Sequence, residues 1–210
     1  MTIIREKCVE TQEEIETAVQ YRADRIELCS RLDAGGFTPE IALTKFAVEK
    51  GLSVVVMLRH RRDFLISPEE VRLLQKEIRT FRDLGVSGFV FGFLTPEGNL
   101  NRPALETLLT EGAGKETVFH MAFDEIPQER QFALLDDLAG LGFTRILTKG
   151  GPGKASENPA HLQALDQYAG GKIALLAGGG VTDANYQGLH EKTGILQFHG
   201  RNLAGPSGKP

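Results

Sequence analysis

The sequence predicts an α/β protein built as a (β/α)8 TIM-type barrel, on three observations. Short β-branched or aromatic runs alternate with longer amphipathic segments, the pattern of repeated βα units around a parallel sheet. Eight such runs can be placed, more than an open doubly wound sheet of this length would normally use. The chain has 210 residues, and barrels of this kind run from about 200 residues upward as one unit. One barrel domain over residues 1–210 is therefore expected.

The strands are expected, in order, at Ile3–Cys8, Arg25–Cys29, Ser53–Arg59, Gly88–Gly92, Thr117–His120, Arg145–Thr148, Lys172–Ala177 and Leu196–His199. Helical patterns lie between them. Glu10–Gln20 follows the first strand, and Thr38–Gly51 carries Pro39 in its first turn. Ser67–Gly85 opens on a capping serine, and Arg130–Gly142 ends, like Thr38–Gly51 and Ser67–Gly85, in glycine before a strand. No helical pattern follows the eighth strand, because 198–210 reads FHGRNLAGPSGKP, polar and rich in glycine and proline. The outer ring is expected to lack its last helix. That gap fits the first strand, where Arg5 and Lys7 stand opposite Ile4, Glu6 and Cys8, so solvent or a partner subunit is expected to cover it.

Composition narrows the function. Hydrophobic residues make up 41% and charged residues 25%, enough apolar material for a sizeable core. A net charge of -4 with interspersed signs provides no basic stripe, which argues against nucleic acid as a partner. The charged opening MTIIREKCVETQEE is unlike a signal peptide, and no run approaches the roughly 18 apolar residues of a membrane span, so a cytoplasmic location without membrane association is expected. Two cysteines, Cys8 and Cys29, make no disulfide framework in a reducing compartment.

Barrel sites lie at the C-terminal ends of the strands and in the loops beyond them. In the second strand Arg25, Glu27 and Cys29 alternate with Ile26 and Leu28, so charge and thiol face the barrel axis. Glu6 and Cys8 share a face by the same rule, which places the two carboxylates in one layer and the two thiols one layer higher. Arg59, His120, Thr148 and His199 end strands, and Asp124 follows His120 closely. Interior carboxylates need a cation, an ion or a shared proton, so Glu6 and Glu27 belong either to a satisfied polar layer or to an acid/base site with Arg59, His120, Asp124 and His199. Two thiols on adjacent strands suit Cu(I), although a buried cysteine also serves as a small hydrophobe and no CxxC spacing is present. Gly178, Gly179 and Gly180 after the seventh strand, like Gly150 and Gly151 after the sixth, either cradle an anion with Thr148 or make tight turns.

The motifs ADRIELC, AGGFTPE, FVFGFLTPEGN, FHMAFD, RILTKGG, AGGGV and FHG, in this order, resemble the CutC copper homeostasis family over nearly the whole chain. The resemblance implies a (β/α) barrel in the cytoplasm, copper binding, and a dimer or larger homo-oligomer. It nominates Cys8 and Cys29 as copper ligands, and places Glu6, Glu27, Arg59, His120, Asp124, Thr148 and His199 on family motif positions. Three departures fall near this constellation. His60 stands where the family has proline, Met121 replaces a basic residue, and Lys149 replaces serine. Two functions follow: a protein that holds Cu(I), or a barrel enzyme acting on a small anionic metabolite through a Glu/Arg/His acid-base site.

Overall fold

The computed structural model describes residues 2–207. Eight parallel strands close into a barrel in sequence order, the eighth paired with the first. They are β1 (Ile4–Val9), β2 (Arg25–Leu28), β3 (Val54–Met57), β4 (Gly88–Phe91), β5 (Glu116–Phe119), β6 (Arg145–Thr148), β7 (Ala174–Ala177) and β8 (Gln197–Gly200). Around them lie α1 (Gln12–Gln20), α2 (Ile41–Glu49), α3 (Pro68–Asp83), α4 (Arg102–Glu111), α5 (Gln128–Leu141), α6 (Pro159–Ala169) and α7 (Tyr186–Thr193). The helices α4, α6 and α7 are additions to those singled out from the sequence. Two of them announce themselves locally: α4 and α6 each have proline in the first turn, and the Asn101 side chain accepts from the Ala104 N–H.

Strand alternation sorts the core into two layers. Ile26, Leu28, Val54, Val56, Phe89, Phe91, Phe119, Ile146, Leu175 and Phe198 point outward and pack under the helices. Cys8, Cys29, Val55, Met57, Val90, Val118, Leu147 and Leu176 form a smaller cluster inside the barrel. Four expected strand ends stop early, β2 at Leu28, β3 at Met57, β4 at Phe91 and β5 at Phe119. β3 ends at Met57 because the Arg59 backbone turns to the preceding loop, its N–H donating to Thr38 Oγ1 at 2.9 Å and its carbonyl accepting from Thr38 N–H at 2.9 Å. β5 ends at Phe119 because His120 caps a short 3-10 turn, Met121–Glu125.

The register corrects the expected layering. Glu6 pairs with Arg25 and Cys8 with Glu27, so the two carboxylates do not share a level, nor do the two thiols. Barrel closure staggers each strand against the last, and alternation alone does not reveal that offset. A second correction concerns the outer face of β1. Among the described residues no helix follows β8, as expected. Arg5 stays partly exposed to solvent, whereas Lys7 is covered by the chain's own tail. Lys7 is fully buried, and its ammonium donates to the carbonyls of Arg201 at 2.7 Å, Gly205 at 2.6 Å and Pro206 at 3.2 Å.

Candidate functional site

The barrel interior holds a polar floor. Glu6 Oε1 accepts from His199 Nδ1 at 2.8 Å, its other oxygen is bound by Arg25 Nε, and Arg25 Nη2 donates to Gln197 Oε1 at 3.0 Å. On the opposite wall Arg145 pairs with Glu116 at 2.7 Å. Burial alone would raise the Glu6 carboxyl, but the Arg25 charge and the His199 hydrogen bond outweigh it and hold Glu6 down to about 2. For His199, burial is outweighed by the Glu27 and Glu6 carboxylates and by Cys8, which raise the imidazole well above its ordinary value.

Above the floor the strand ends open into a cavity of about 420 Å³. One wall, from β1, β2 and β8, presents Cys8, Glu27 and His199; the facing wall, from the ends of β3 and β5, presents Arg59, Phe64 and His120. Ligand atoms of Cys8, Glu27 and His199 all lie within 4.8 Å of one another, and all three residues are buried. Glu27 Oε1 accepts from the Cys29 thiol at 3.3 Å and the Cys8 thiol at 3.8 Å, while Oε2 has no hydrogen-bond partner and lies 4.0 Å from His199 Nδ1. Burial pushes the Glu27 carboxyl up to about 8. Hydrogen bonding with the Cys29 thiol draws Cys8 down to about 6, and the same interaction, with burial, pushes Cys29 well up.

On the facing wall Arg59 is only 6% exposed. Its Nη1 donates to Gly35 O at 3.0 Å, Nη2 bonds the Arg62 carbonyl, and Nε has no partner. Gly35 allows this approach: its φ is +91°, and a β-carbon there would lie 3.2 Å from Arg59 Nη1. His120 Nδ1 accepts from the Ala122 N–H at 3.2 Å, which fixes the proton on Nε2, and Nε2 has no partner. Burial, then the Arg59 charge, push His120 down to about 3, so the ring is neutral at physiological pH.

The remaining candidates divide between the turn after β6 and the cavity rim. Thr148 shares its face with Ile146 and so points outward, where its hydroxyl donates to Asp124 Oδ1 at 2.5 Å and accepts from Gly150 N–H at 2.9 Å. Asp124 Oδ2 accepts from Lys149 N–H at 3.1 Å, so Asp124 and Thr148 brace the turn after β6. Gly150 and Gly151 pack against side chains of Leu162, Gln128 and Asn158 in that turn. Gly179 and Gly180 line the cavity beside Gly200; Gly178 stands just beneath, with no room for a β-carbon against Leu147. Met121 also lines the cavity. His60 turns away to Glu77, 3.0 Å distant. Sequence reasoning missed Phe64 and Arg201, both in the cavity wall. Phe64 follows Arg59 by five positions, and nothing in that spacing marks an inward ring.

The family model for the CutC family matches residues 3–204. CutC of Enterococcus faecalis is 35% identical over 208 residues, covering 96% of this chain and 100% of that one. The human copper homeostasis protein cutC homolog is 36% identical over 198 residues, covering 93% of this chain and 72% of its own. The crystal structure of CutC from Streptococcus agalactiae superposes with a TM-score of 0.91 at 38% identity, covering 96% of this chain and all of that one. With its closed barrel and a match over nearly its whole length, the chain belongs to the CutC family.

Proposed function

We propose that this protein is a cytoplasmic copper homeostasis protein that binds copper as Cu(I) at the inner wall of the barrel mouth. One observation carries the reading: Cys8, Glu27 and His199 bring a sulfur, an oxygen and a nitrogen within 4.8 Å of one another in a buried setting. The donor chemistry fits the ion. Thiolate and imidazole are ligands that Cu(I) favours, and Cys8 is the thiol drawn toward its thiolate. The unpartnered Glu27 Oε2 leaves one acceptor unused beside them. Cys29, whose thiol donates to Glu27, stands behind the Cys8–Glu27–His199 group and orients it. Loading such a site would displace protons from Glu27 and His199, so affinity should rise with pH. The test is an anaerobic Cu(I) titration of reduced protein against a competing chelator. Tight one-to-one binding lost in Cys8→Ser and weakened about 10–100-fold in Cys29→Ser is the expected result; unchanged binding in a Cys8→Ser, Cys29→Ser double variant would refute it.

A second reading, an enzyme acting on a small anionic metabolite, is favoured by a different observation. Buried polar atoms of Glu27, Arg59 and His120, on both walls of one cavity, all lack partners, whereas buried polar groups are normally satisfied. Glu27 would then be the acid/base group and His120 the hydrogen-bond donor. Small anions released from denatured wild-type protein, identified by mass spectrometry and missing from Glu27→Gln, would support it; equal recovery from both would count against it.

A further inference from the structure

Arg59 is the unresolved charge of this molecule. Its guanidinium is buried, yet both terminal nitrogens are spent on neutral carbonyls, of Gly35 and Arg62. The carboxylate that acts on it, Asp63, is engaged by Arg61 at 2.6 Å. The other interior arginines differ: Arg25 has Glu6 and Arg145 has Glu116. The rim cation Arg201 is likewise occupied, reaching Glu10 and Glu14 at 3.3 Å each. Burying a cation without a counter-charge is costly, and fold stability alone gives no reason to keep it.

The surroundings hold this cation ready. Its guanidinium lies 4.9 Å from the Phe64 ring centre and 5.8 Å from that of Phe37, and Phe64 stands 5.0 Å from the His120 ring. The stack fixes both polar groups against one wall of the cavity. His120 adds a donor of defined tautomer, with Nδ1 occupied and Nε2–H unpartnered. Met57, Leu147 and Leu32 supply apolar surface across the cavity floor and side. A fixed cation beside a neutral N–H donor over an apolar bed is the arrangement that receives an anionic oxygen group.

We propose that the Arg59–His120 wall is an anion subsite that takes the carboxylate or phosphate of a small organic molecule, whose remainder extends toward Glu27. This rests on, and deepens, the second reading above. It is independent of copper, because neither Arg59 nor His120 belongs to the Cys8, Glu27 and His199 group. The ligand restores the missing counter-charge, and His120 donates from Nε2 to one of its oxygens while the imidazole stays neutral.

The experiment follows the histidine side-chain signals of the reduced, metal-free protein by nitrogen–proton NMR during titration with inorganic phosphate and, separately, with pyruvate. The expected result is a saturable shift of the His120 Nε2–H signal with at least one probe, weakened about tenfold or more in Arg59→Gln. Response to phosphate alone identifies a phosphate ligand, and response to pyruvate alone a carboxylate. His120→Phe, which removes the donor but keeps the ring stack, should weaken binding several-fold and guards against misfolding of the arginine variant. No saturable response to either probe in wild type, or binding undiminished in both Arg59→Gln and His120→Phe, would overturn the subsite. Failure of the enzyme reading looks different: probes bind through Arg59, but Glu27→Gln changes nothing in what the protein retains.

Discussion

Glu6 and Glu27 sit on adjacent strands inside the same barrel, both buried, and their surroundings drive them in opposite directions. Glu6, on the floor, has an arginine on one oxygen and a histidine on the other, and is held down to about 2. Glu27, at the mouth, meets two thiols on one oxygen and has no hydrogen bond on the other, from which His199 Nδ1 stands 4.0 Å away, and burial pushes it up to about 8. The floor is close to a finished structural network, with Arg145 Nε its one unpartnered side-chain atom among the described residues; the mouth leaves Glu27, Arg59 and His120 incomplete. The charges of the floor are paired within the chain, whereas the mouth keeps buried polar atoms without hydrogen bonds.

That contrast can be broken most severely at Glu6. Glu6→Gln leaves Arg25 and His199 without their carboxylate and should cost about 3–5 kcal/mol in chemical denaturation at pH 7. In the wild type the folded-state value lies below the ordinary 4.5, so this contribution is complete above pH 4.5 and is lost as pH falls toward 2. A smaller loss is expected on the outer face of β1. Lys7→Met strands the carbonyls of Arg201, Gly205 and Pro206, and should cost about 1–3 kcal/mol and expose the tail to limited proteolysis. The smallest effect is predicted at Glu27, where Gln mimics the protonated carboxyl. Glu27→Gln should lie within about 1 kcal/mol of wild type at pH 5. Its sign then turns, because Glu27 binds its proton more tightly folded than unfolded: wild-type stability falls as pH rises from 4.5 to 8, and the variant escapes that fall. Denaturation curves across this range check both carboxylates at once. Parallel pH profiles for Glu6→Gln and Glu27→Gln would erase the distinction between floor and mouth.

Much of this was legible before the structure, and the reasons for the gaps are specific. Alternation in β2 put Arg25, Glu27 and Cys29 on the inner face, where they are. The same rule, applied to β6, would have turned Thr148 outward with Ile146, a signal present in the sequence and passed over. Register was not legible, because the stagger between strands is a property of the closed sheet, and it set Cys8 beside Glu27 rather than level with Cys29. Asp124 follows His120 so closely that sequence placed both at the site, yet the 3-10 turn between them carries Asp124 away to Thr148. The cover over Lys7 depends on a tail folding back from the far end of the chain, and local pattern contains no trace of such a contact.

The central claim is that the mouth is completed by a copper ion anchored on Cys8. Copper K-edge X-ray absorption of the anaerobically Cu(I)-loaded protein tests it most directly. A coordination sphere containing sulfur and imidazole, losing its sulfur in Cys8→Ser and keeping it in Cys29→Ser, is the result predicted here. A sphere of oxygen and nitrogen alone, or one unchanged in Cys8→Ser, would contradict it.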